Sequence, residues 1–130
     1  MNRAVVALGS NIDPEAYIRK ACDALQREFG VRATSSLLLT KPLGILDQPD
    51  FLNGVVLLET SLDLDTLKDR LKALESALGR QVRADKWGPR EIDLDVLIWN
   101  GEVVNKDYYE RDFLRKTVAE ILPSLKTRCC

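Results

Sequence analysis

The sequence predicts an α+β sandwich in which one antiparallel sheet carries helices on one face. Short apolar runs bounded by turn residues alternate with two longer segments whose apolar residues recur at helical spacing. The predicted order is strand, helix, strand, strand, helix, strand and a final, weaker helix. This order matches a ferredoxin-like βαββαβ core. A length of 130 residues suits one domain with one core, covering 1–130.

Four strands are expected where short apolar runs stop at turn-forming residues. The turns include Gly9-Ser10-Asn11 after the first run and Asn100-Gly101 after the last. The predicted strands are Ala4 to Leu8, Val31 to Thr40, Phe51 to Thr60 and Ile92 to Trp99.

Two helices are expected from apolar residues spaced three and four apart, with recognisable residues at their ends. The first has Asp13 as N-cap, Pro14 at its first position and Gly30 just after its end. The second has Asp63 as N-cap and ends at Gly79. Their apolar faces are Ile18, Cys22, Leu25 and Phe29 in the first, and Leu64, Leu67, Leu71, Leu74 and Leu78 in the second, and the weaker third helix covers Phe113 to Leu122.

Composition excludes several classes of function. The chain has no histidine, which excludes His-based zinc sites, Ser-His-Asp triads and histidine general bases. A net charge of −1 disfavours general nucleic-acid binding. No apolar stretch approaches the ~20 residues of a membrane span, and three cysteines without a framework spacing suggest a reducing compartment, so we expect a cytoplasmic protein.

Two aspartates lie two residues apart in the predicted fourth strand. Asp93 and Asp95 therefore project from the same face of the sheet, while their apolar neighbours face the other way. Paired carboxylates repel unless a cation lies between them, and Mg²⁺ often takes one or two carboxylates together with substrate phosphates. Taken alone, the pattern also fits a solvated polar face on an edge strand.

A cationic loop precedes these aspartates. The segment from Arg80 to Arg90 has no periodicity, and it contains four cations and Trp87. Arginine suits bidentate phosphate binding, and a loop of this length is often a functional lid. A cationic lid beside paired aspartates predicts a Mg-triphosphate site, with an ordinary charged surface loop as the alternative. No Walker A pattern is present, so the chain is not a P-loop kinase.

The start of the third strand offers groups that could bind a flat ring. Phe51 and Asn53 are two residues apart and lie on one side of the strand. Phe51 could stack on a ring while Asn53 reads its edge by hydrogen bonds. Core packing is the alternative for Phe51, and a plain strand-to-helix turn is the alternative for Gly9 to Asn11.

In combination and in this order, these segments resemble the 6-hydroxymethyl-7,8-dihydropterin pyrophosphokinases of the folate pathway. They cover most of the first 105 residues. The matching segments are Ala7-Leu8-Gly9-Ser10-Asn11, Pro42-Leu43-Gly44, Asp47-Gln48-Pro49-Asp50-Phe51-Leu52-Asn53, Leu58-Glu59-Thr60, Glu75 with Gly79-Arg80, and Trp87-Gly88-Pro89-Arg90-Glu91-Ile92-Asp93-Leu94-Asp95.

The resemblance implies transfer of pyrophosphate from ATP to the pterin hydroxymethyl group, with two Mg²⁺ ions held by Asp93 and Asp95. Asp95 would also assist catalysis, together with Arg80 and Arg90. The nucleotide side implied by the resemblance comprises Glu75, Arg80, Arg83, Trp87, Arg90 and Arg111. The acceptor side comprises Gly9, Asn11, Leu43, Gly44, Phe51, Asn53 and Phe113.

The chain departs from the family pattern at the lid and near its C-terminus. Val82 stands where a second lid arginine is usual, with Arg83 next to it as a substitute. Between Asn105 and Arg111 the family's Pro-His segment is missing, and the chain after Pro123 is short. The resemblance is therefore to a shortened form of the family.

The sequence alone leaves two other functions open. The chain could be a pyrophosphokinase or kinase for a different small alcohol, or a non-catalytic module that binds a pterin or a nucleotide. The expected partners are ATP and a pterin, without nucleic acid or membrane. A monomer is expected, with a dimer left open.

Overall fold

The computed structural model describes residues 1–42, 47–81 and 88–122. In these ranges, apolar alternation and helical spacing become strands and helices close to the predicted positions. The strands are β1 (Asn2–Ser10), β2 (Gly30–Thr34), β3 (Leu38–Thr40), β4 (Phe51–Thr60), β5 (Asp93–Trp99) and β6 (Glu102–Val103). The helices are α1 (Pro14–Glu28), α2 (Leu64–Ala77), α3 (Asp107–Glu110) and α4 (Asp112–Ile121).

The strands form one antiparallel sheet in the order β2-β4-β1-β5-β6, and β3 pairs with the beginning of β4. Strand β1 lies between β4 and β5, and its whole length pairs with β4, from Asn2 opposite Thr60 to Ser10 opposite Leu52. This arrangement confirms the ferredoxin-like α+β prediction.

Helices α1 and α2 pack on one face of the sheet, as predicted. Leu25 of α1 and Leu71 of α2 share that core with Leu8 and Leu94, all nearly inaccessible to solvent. The periodic apolar faces of both helices explain this packing, since each must bury its stripe against the sheet.

Helix α4 covers part of the opposite face. Its Leu114 and Val118 pack with Val5 and Leu97 in a second core. The sequence predicts this helix but does not say which face it covers. The rest of that face, beyond Leu97 toward the beginning of β5, is left for polar side chains.

The ends of α2 form as predicted. The Asp63 carboxylate accepts a hydrogen bond from the Thr66 backbone N–H at 2.8 Å, which satisfies one free donor of the first turn. Gly79 follows the last residues of the helix with φ +111°, in the left-handed region that favours glycine.

The ends of α1 differ from the prediction. Asp13 occupies the N-cap position but has φ 44° and makes no side-chain capping bond, so its carboxylate does not cap the helix. Gly30 follows the end of α1, but Phe29 before it is already extended and Gly30 begins β2. The chain therefore turns directly into the sheet without a left-handed glycine.

Two further boundaries differ from the prediction or refine it. The predicted strand from Val31 to Thr40 is divided into β2 and β3, because the Ser35 hydroxyl, and not a backbone carbonyl, accepts from the Val55 N–H, and the N–H and hydroxyl of Ser36 both donate to Glu120. The Asn100-Gly101 turn is confirmed, since both residues have positive φ between β5 and β6.

Among the helices in the described ranges, none combines the length and apolar character required to cross a membrane.

Candidate active site

The paired aspartates lie on the same face of β5, as the strand alternation predicts. Asp93 is opposite Gly9 of β1 and Asp95 is opposite Ala7, while Leu94 between them is buried in the core under α2. The Asp93 side chain is 22% exposed and the Asp95 side chain 37%. Both carboxylates are therefore accessible from the face that α4 leaves open.

Among the described residues, three cations surround these carboxylates. Arg80 and Arg90 each donate a hydrogen bond to Asp93 at 3.0 Å, through Nη1 in both cases. Lys72 donates to Asp95 Oδ1 at 3.1 Å. The structure thus brings the predicted residues Arg80, Arg90, Asp93 and Asp95 together, and it adds Lys72.

The two carboxyl groups differ in their proton affinity. Burial opposes ionisation of Asp93, but Arg90 and Lys72 outweigh that effect and hold its pKa below the usual value. Burial, followed by the nearby charge of Asp93, raises the pKa of Asp95 to about 6. Asp93 is therefore the more stable anion of the pair, and Asp95 is the member that takes up a proton first as the pH falls.

Glu75 of α2 holds two of these cations, Arg80 and Lys72, in position. Its carboxylate is buried and accepts hydrogen bonds from Arg80 Nη1 at 2.7 Å and from Lys72 Nζ at 3.0 Å. It also accepts from the Leu94 backbone N–H at 2.6 Å. Glu75, predicted on the nucleotide side, uses both carboxylate oxygens within the protein. Its direct contact with a nucleotide stays a prediction.

Asn11 joins two loops at the edge of the site. Its side-chain amide donates to Gln48 Oε1 at 2.8 Å and to the Pro49 carbonyl at 3.0 Å. Its Oδ1 accepts from the Arg90 backbone N–H at 2.8 Å. Since Asn11 is buried and its amide has these partners, it fixes the positions of both loops, and its predicted contact with the substrate is untested.

Beside the carboxylates lies a cavity of about 290 Å³. Phe51 and Phe113 both line it, as do Asn53 and Gly9, so four of the predicted acceptor-side residues meet there. Asn53 Nδ2 donates to Thr40 Oγ1 at 2.6 Å, which orients the amide. Two aromatic side chains and an oriented amide are groups suited to a flat heterocycle.

Gly9 has a steric role at the wall of this cavity. A Cβ at this position would lie 3.1 Å from Asn53 Oδ1 and 4.0 Å from a ring carbon of Phe51. The first distance is tighter than an ordinary contact, so a side chain would displace the Asn53 amide. Glycine at the end of β1 therefore preserves the geometry of the predicted acceptor pocket.

Two further cavities adjoin the carboxylates. One of about 280 Å³ is lined by both aspartates and by Arg111, which also lines the first cavity. Another of about 230 Å³ lies between α2 and β5, and Lys68, Lys72, Asp95 and Asn105 are among its lining residues. Asp95 thus borders spaces on two sides.

Several lining residues are absent from the sequence prediction. Thr40, Lys41 and Glu110 line the cavity of Phe51, and Lys68 and Lys72 line the one beside α2. The spacing of Lys68, Lys72 and Glu75 places them on one side of a helix, which is a detectable signal. The sequence does not reveal that this side meets β5. The predicted residues Leu43, Gly44, Arg83 and Trp87 lie outside the described residues.

The chain is similar to known proteins over most of its length. Residues 5–123 match the family described as 7,8-dihydro-6-hydroxymethylpterin-pyrophosphokinase. A 2-amino-4-hydroxy-6-hydroxymethyldihydropteridine pyrophosphokinase of Pseudomonas aeruginosa is 39% identical, over 97% of this chain and 84% of that protein. The Bacillus subtilis protein of the same description is 40% identical, over 92% of this chain and 78% of its own length.

A plant relative covers the same region within a larger protein. The folate synthesis bifunctional protein of Arabidopsis thaliana is 31% identical over 91% of this chain, which corresponds to 26% of its own length. With the ferredoxin-like sheet, the carboxylate pair and the aromatic cavity, these matches lead to one assignment. The chain belongs to the 7,8-dihydro-6-hydroxymethylpterin-pyrophosphokinase family.

Proposed function

We propose that this protein transfers pyrophosphate from Mg-ATP to the hydroxymethyl group of 6-hydroxymethyl-7,8-dihydropterin, producing the pterin diphosphate and AMP. The family assignment supports the reaction. The structural observation that carries the proposal is the position of the aspartate pair, which borders the aromatic cavity through Asp93 and the cavity beside α2 through Asp95. Such an arrangement suits a donor and an acceptor that meet at the carboxylates.

On the acceptor side, we assign the pterin ring to the cavity of Phe51, Phe113 and Asn53. Aromatic side chains can hold the ring by stacking, and the amide can recognise the hydrogen-bonding edge of the heterocycle. The Thr40 hydroxyl supports this role because it fixes the Asn53 amide. An oriented amide rejects analogues that lack the complementary groups, since its own polar atoms would be left unpaired.

On the donor side, we assign the triphosphate to the cations around the carboxylates. Arg80 and Arg90 are held by Asp93, and Glu75 additionally holds Arg80. Because both arginines are already ordered, little conformational entropy is lost when they bind phosphate oxygens. Positioning and charge neutralisation are the main requirements of phosphoryl-type transfer, and no histidine is needed for either.

The aspartate pair fits a magnesium site. Two acidic oxygen donors on one strand face, partly exposed and beside arginines that can hold phosphates, form a donor set typical of Mg²⁺ sites completed by substrate. Magnesium bound to Asp93 and Asp95 would neutralise charge on the phosphate oxygens. We propose two ions, and we further assign to Asp95 the acceptance of the proton from the acceptor hydroxyl.

Two properties outside the site are also proposed. We infer a location in the cytoplasm from three cysteines without a disulfide framework, and we propose that the protein is a monomer. Light scattering of the purified protein tests the monomer, and fractionation of cells tests the location.

The test of function is AMP release from ATP and Mg²⁺, with and without 6-hydroxymethyl-7,8-dihydropterin. We expect AMP only when the pterin is present, and we expect Asp95→Ala to reduce turnover by about 100-fold or more while preserving the circular dichroism spectrum. Asp65→Ala, which removes an exposed aspartate of α2, is the matched control and should keep full activity.

Each alternative gives a different outcome. AMP formed only with another planar alcohol would replace the acceptor. Ligand binding without AMP would indicate a non-catalytic module and would refute the proposed reaction. Loss of the circular dichroism signal in Asp95→Ala would contradict a role of Asp95 limited to the site.

A further inference from the structure

The ammonium group of Lys72 is held by three oxygen acceptors at the edge of the sheet. Its Nζ lies 3.0 Å from Glu75 Oε2, 3.1 Å from the Leu94 carbonyl and 3.1 Å from Asp95 Oδ1. A lysine ammonium has three N–H donors, so these contacts use all of them. The side chain is nevertheless 53% exposed, and it can move without disturbing the core.

The location of Lys72 is explained by α2 and β5. Lys72 and Glu75 are three residues apart on α2, and Glu75 also accepts a hydrogen bond from the Leu94 N–H. Strand β6 pairs only with Ile98 and Trp99 of β5, so it does not reach Leu94. The side chains of Lys72 and Glu75 instead bond the carbonyl and the N–H of Leu94. Lys72 is therefore directed to the carboxylate next in the chain, Asp95.

Lys72 also reduces the repulsion within the aspartate pair. Its Nζ is 3.9 Å from Asp93 Oδ1, in addition to its contact with Asp95. Arg80 and Arg90 are directed to Asp93. In the described part of the chain, Lys72 is the cation that pairs with Asp95.

We propose that Lys72 is a counter-cation that competes with a divalent metal ion for Asp95, so that its ammonium group must leave Asp95 before the metal binds. The inference rests on the proposed role of Asp93 and Asp95 as Mg²⁺ ligands. Lys72 is in this sense a positioning residue: it keeps the carboxylates paired when no metal is bound.

The competition follows from distance and charge. Mg²⁺ binds carboxylate oxygens at about 2.0–2.1 Å. If Lys72 kept its contact with Asp95 Oδ1, the two cations would be separated by about 5 Å or less. Even with water-like screening, repulsion between a dication and an ammonium group at that distance weakens binding by about tenfold.

A consequence is that free metal binds weakly and metal carried by ATP binds well. Lys72 lines the cavity between α2 and β5 together with Lys68. Phosphate oxygens of ATP provide new acceptors for an ammonium group displaced from Asp95, whereas a free metal ion provides none. The metal-binding step is therefore coupled to nucleotide binding.

Mn²⁺ binding to the nucleotide-free protein tests the proposal, with free Mn²⁺ measured by electron paramagnetic resonance. We expect Lys72→Met to bind Mn²⁺ about tenfold more tightly than the wild type. Lys68→Met removes the same charge one turn earlier on α2, from a lysine that lines the same cavity, and should change the affinity by less than about twofold. Lys72→Arg, which keeps the charge, should resemble the wild type.

A double variant locates the competition at one carboxylate. In the Asp95→Asn background, Lys72→Met should give no gain in affinity over Asp95→Asn alone, because the competition is for Asp95. Circular dichroism checks that each variant is folded. Equal Mn²⁺ affinity of Lys72→Met and the wild type would overturn the proposal, as would an equal gain in Lys68→Met, since the effect would then be one of overall charge.

The Mn²⁺ measurement and the AMP assay separate this inference from the proposed reaction. If the wild type releases AMP with the pterin and Lys72→Met does not tighten Mn²⁺ binding, the role of Lys72 is wrong and the reaction stands. If Lys72→Met tightens Mn²⁺ binding but the wild type releases no AMP with the pterin, Lys72 has the inferred role and the proposed reaction is wrong.

Discussion

Replacing Glu75 with glutamine tests the charge balance on which the site depends. In the described part of the site, the carboxylates of Glu75, Asp93 and Asp95 face the three cations Lys72, Arg80 and Arg90. Glu75 is the most buried of the carboxylates, with its side chain 4% exposed. Glu75→Gln preserves size but leaves one positive charge in excess, and it turns an amide N–H₂ toward a cation.

The expected cost comes from the contacts of Glu75. Glutamine can still accept from the Leu94 N–H and from Lys72, which share Oε2, but it loses the charge-assisted bond from Arg80 to Oε1. Hydrogen bonds to charged groups contribute about 1.5–3 kcal/mol. Because the Arg80 side chain is 28% exposed and that of Lys72 53%, solvent screening places the expected loss in the free energy of unfolding at about 2 kcal/mol.

Urea unfolding followed by circular dichroism measures this loss, and Glu28→Gln is the control. Glu28 accepts from Arg70 Nη2 at 2.9 Å, but the two side chains are 34% and 49% exposed. That pair should contribute less than about 1 kcal/mol. Turnover of Glu75→Gln should fall as well, because Arg80 loses one of its two carboxylate partners. A Glu75→Gln stability within about 0.5 kcal/mol of the wild type would refute the reasoning.

Three further predictions concern the acceptor pocket, the helix cap and the half-buried thiol of Cys22. Phe51→Ala should weaken pterin binding more than ATP binding in titration calorimetry, and equal losses would indicate a core role instead. Asp63→Ala should lower the thermal midpoint of unfolding. The hydrogen bond from the Thr66 N–H lowers the pKa of Asp63 below 3.8, so the stabilisation by this cap is present above pH 3.8 and disappears as the pH falls through the lowered pKa. A midpoint difference between Asp63→Ala and the wild type that persists in acid would contradict this. Burial, and then the charge of Asp23, raise the pKa of Cys22 above 9.0, so its alkylation at pH 8, followed by peptide mass spectrometry, should be slower than that of a free cysteine.

Much of the fold is predictable because it depends on local patterns. The predicted strand from Phe51 to Thr60 has the same bounds as β4, and Asp63 and Gly79 mark the two ends of α2 as expected. Predictions failed where neighbouring elements override a local preference. Asp13 does not use its side chain as a cap, and Gly30 enters the sheet instead of ending α1 in a left-handed conformation.

The candidate site is predictable to the extent that it follows strand alternation. Alternation along β5 is sufficient to place Asp93 and Asp95 on one face, and the resemblance to a known family adds the arginines and the aromatic residues. The contacts of Lys72 are not predictable, because they join residues 22 and 23 positions apart in the chain. They depend on how α2 lies against the edge of β5.

The sequence by itself determined the elements, the common direction of the two aspartates and the absence of histidine chemistry, because each follows from residue type and local period. Tertiary structure decided what surrounds those aspartates. It brought Lys72 and Glu75 of α2 to β5, left the face beyond α4 open, and used the Asn11 amide to join two loops. The physical reason is that hydrogen bonds and charge pairs between distant segments depend on packing geometry, which no local pattern encodes.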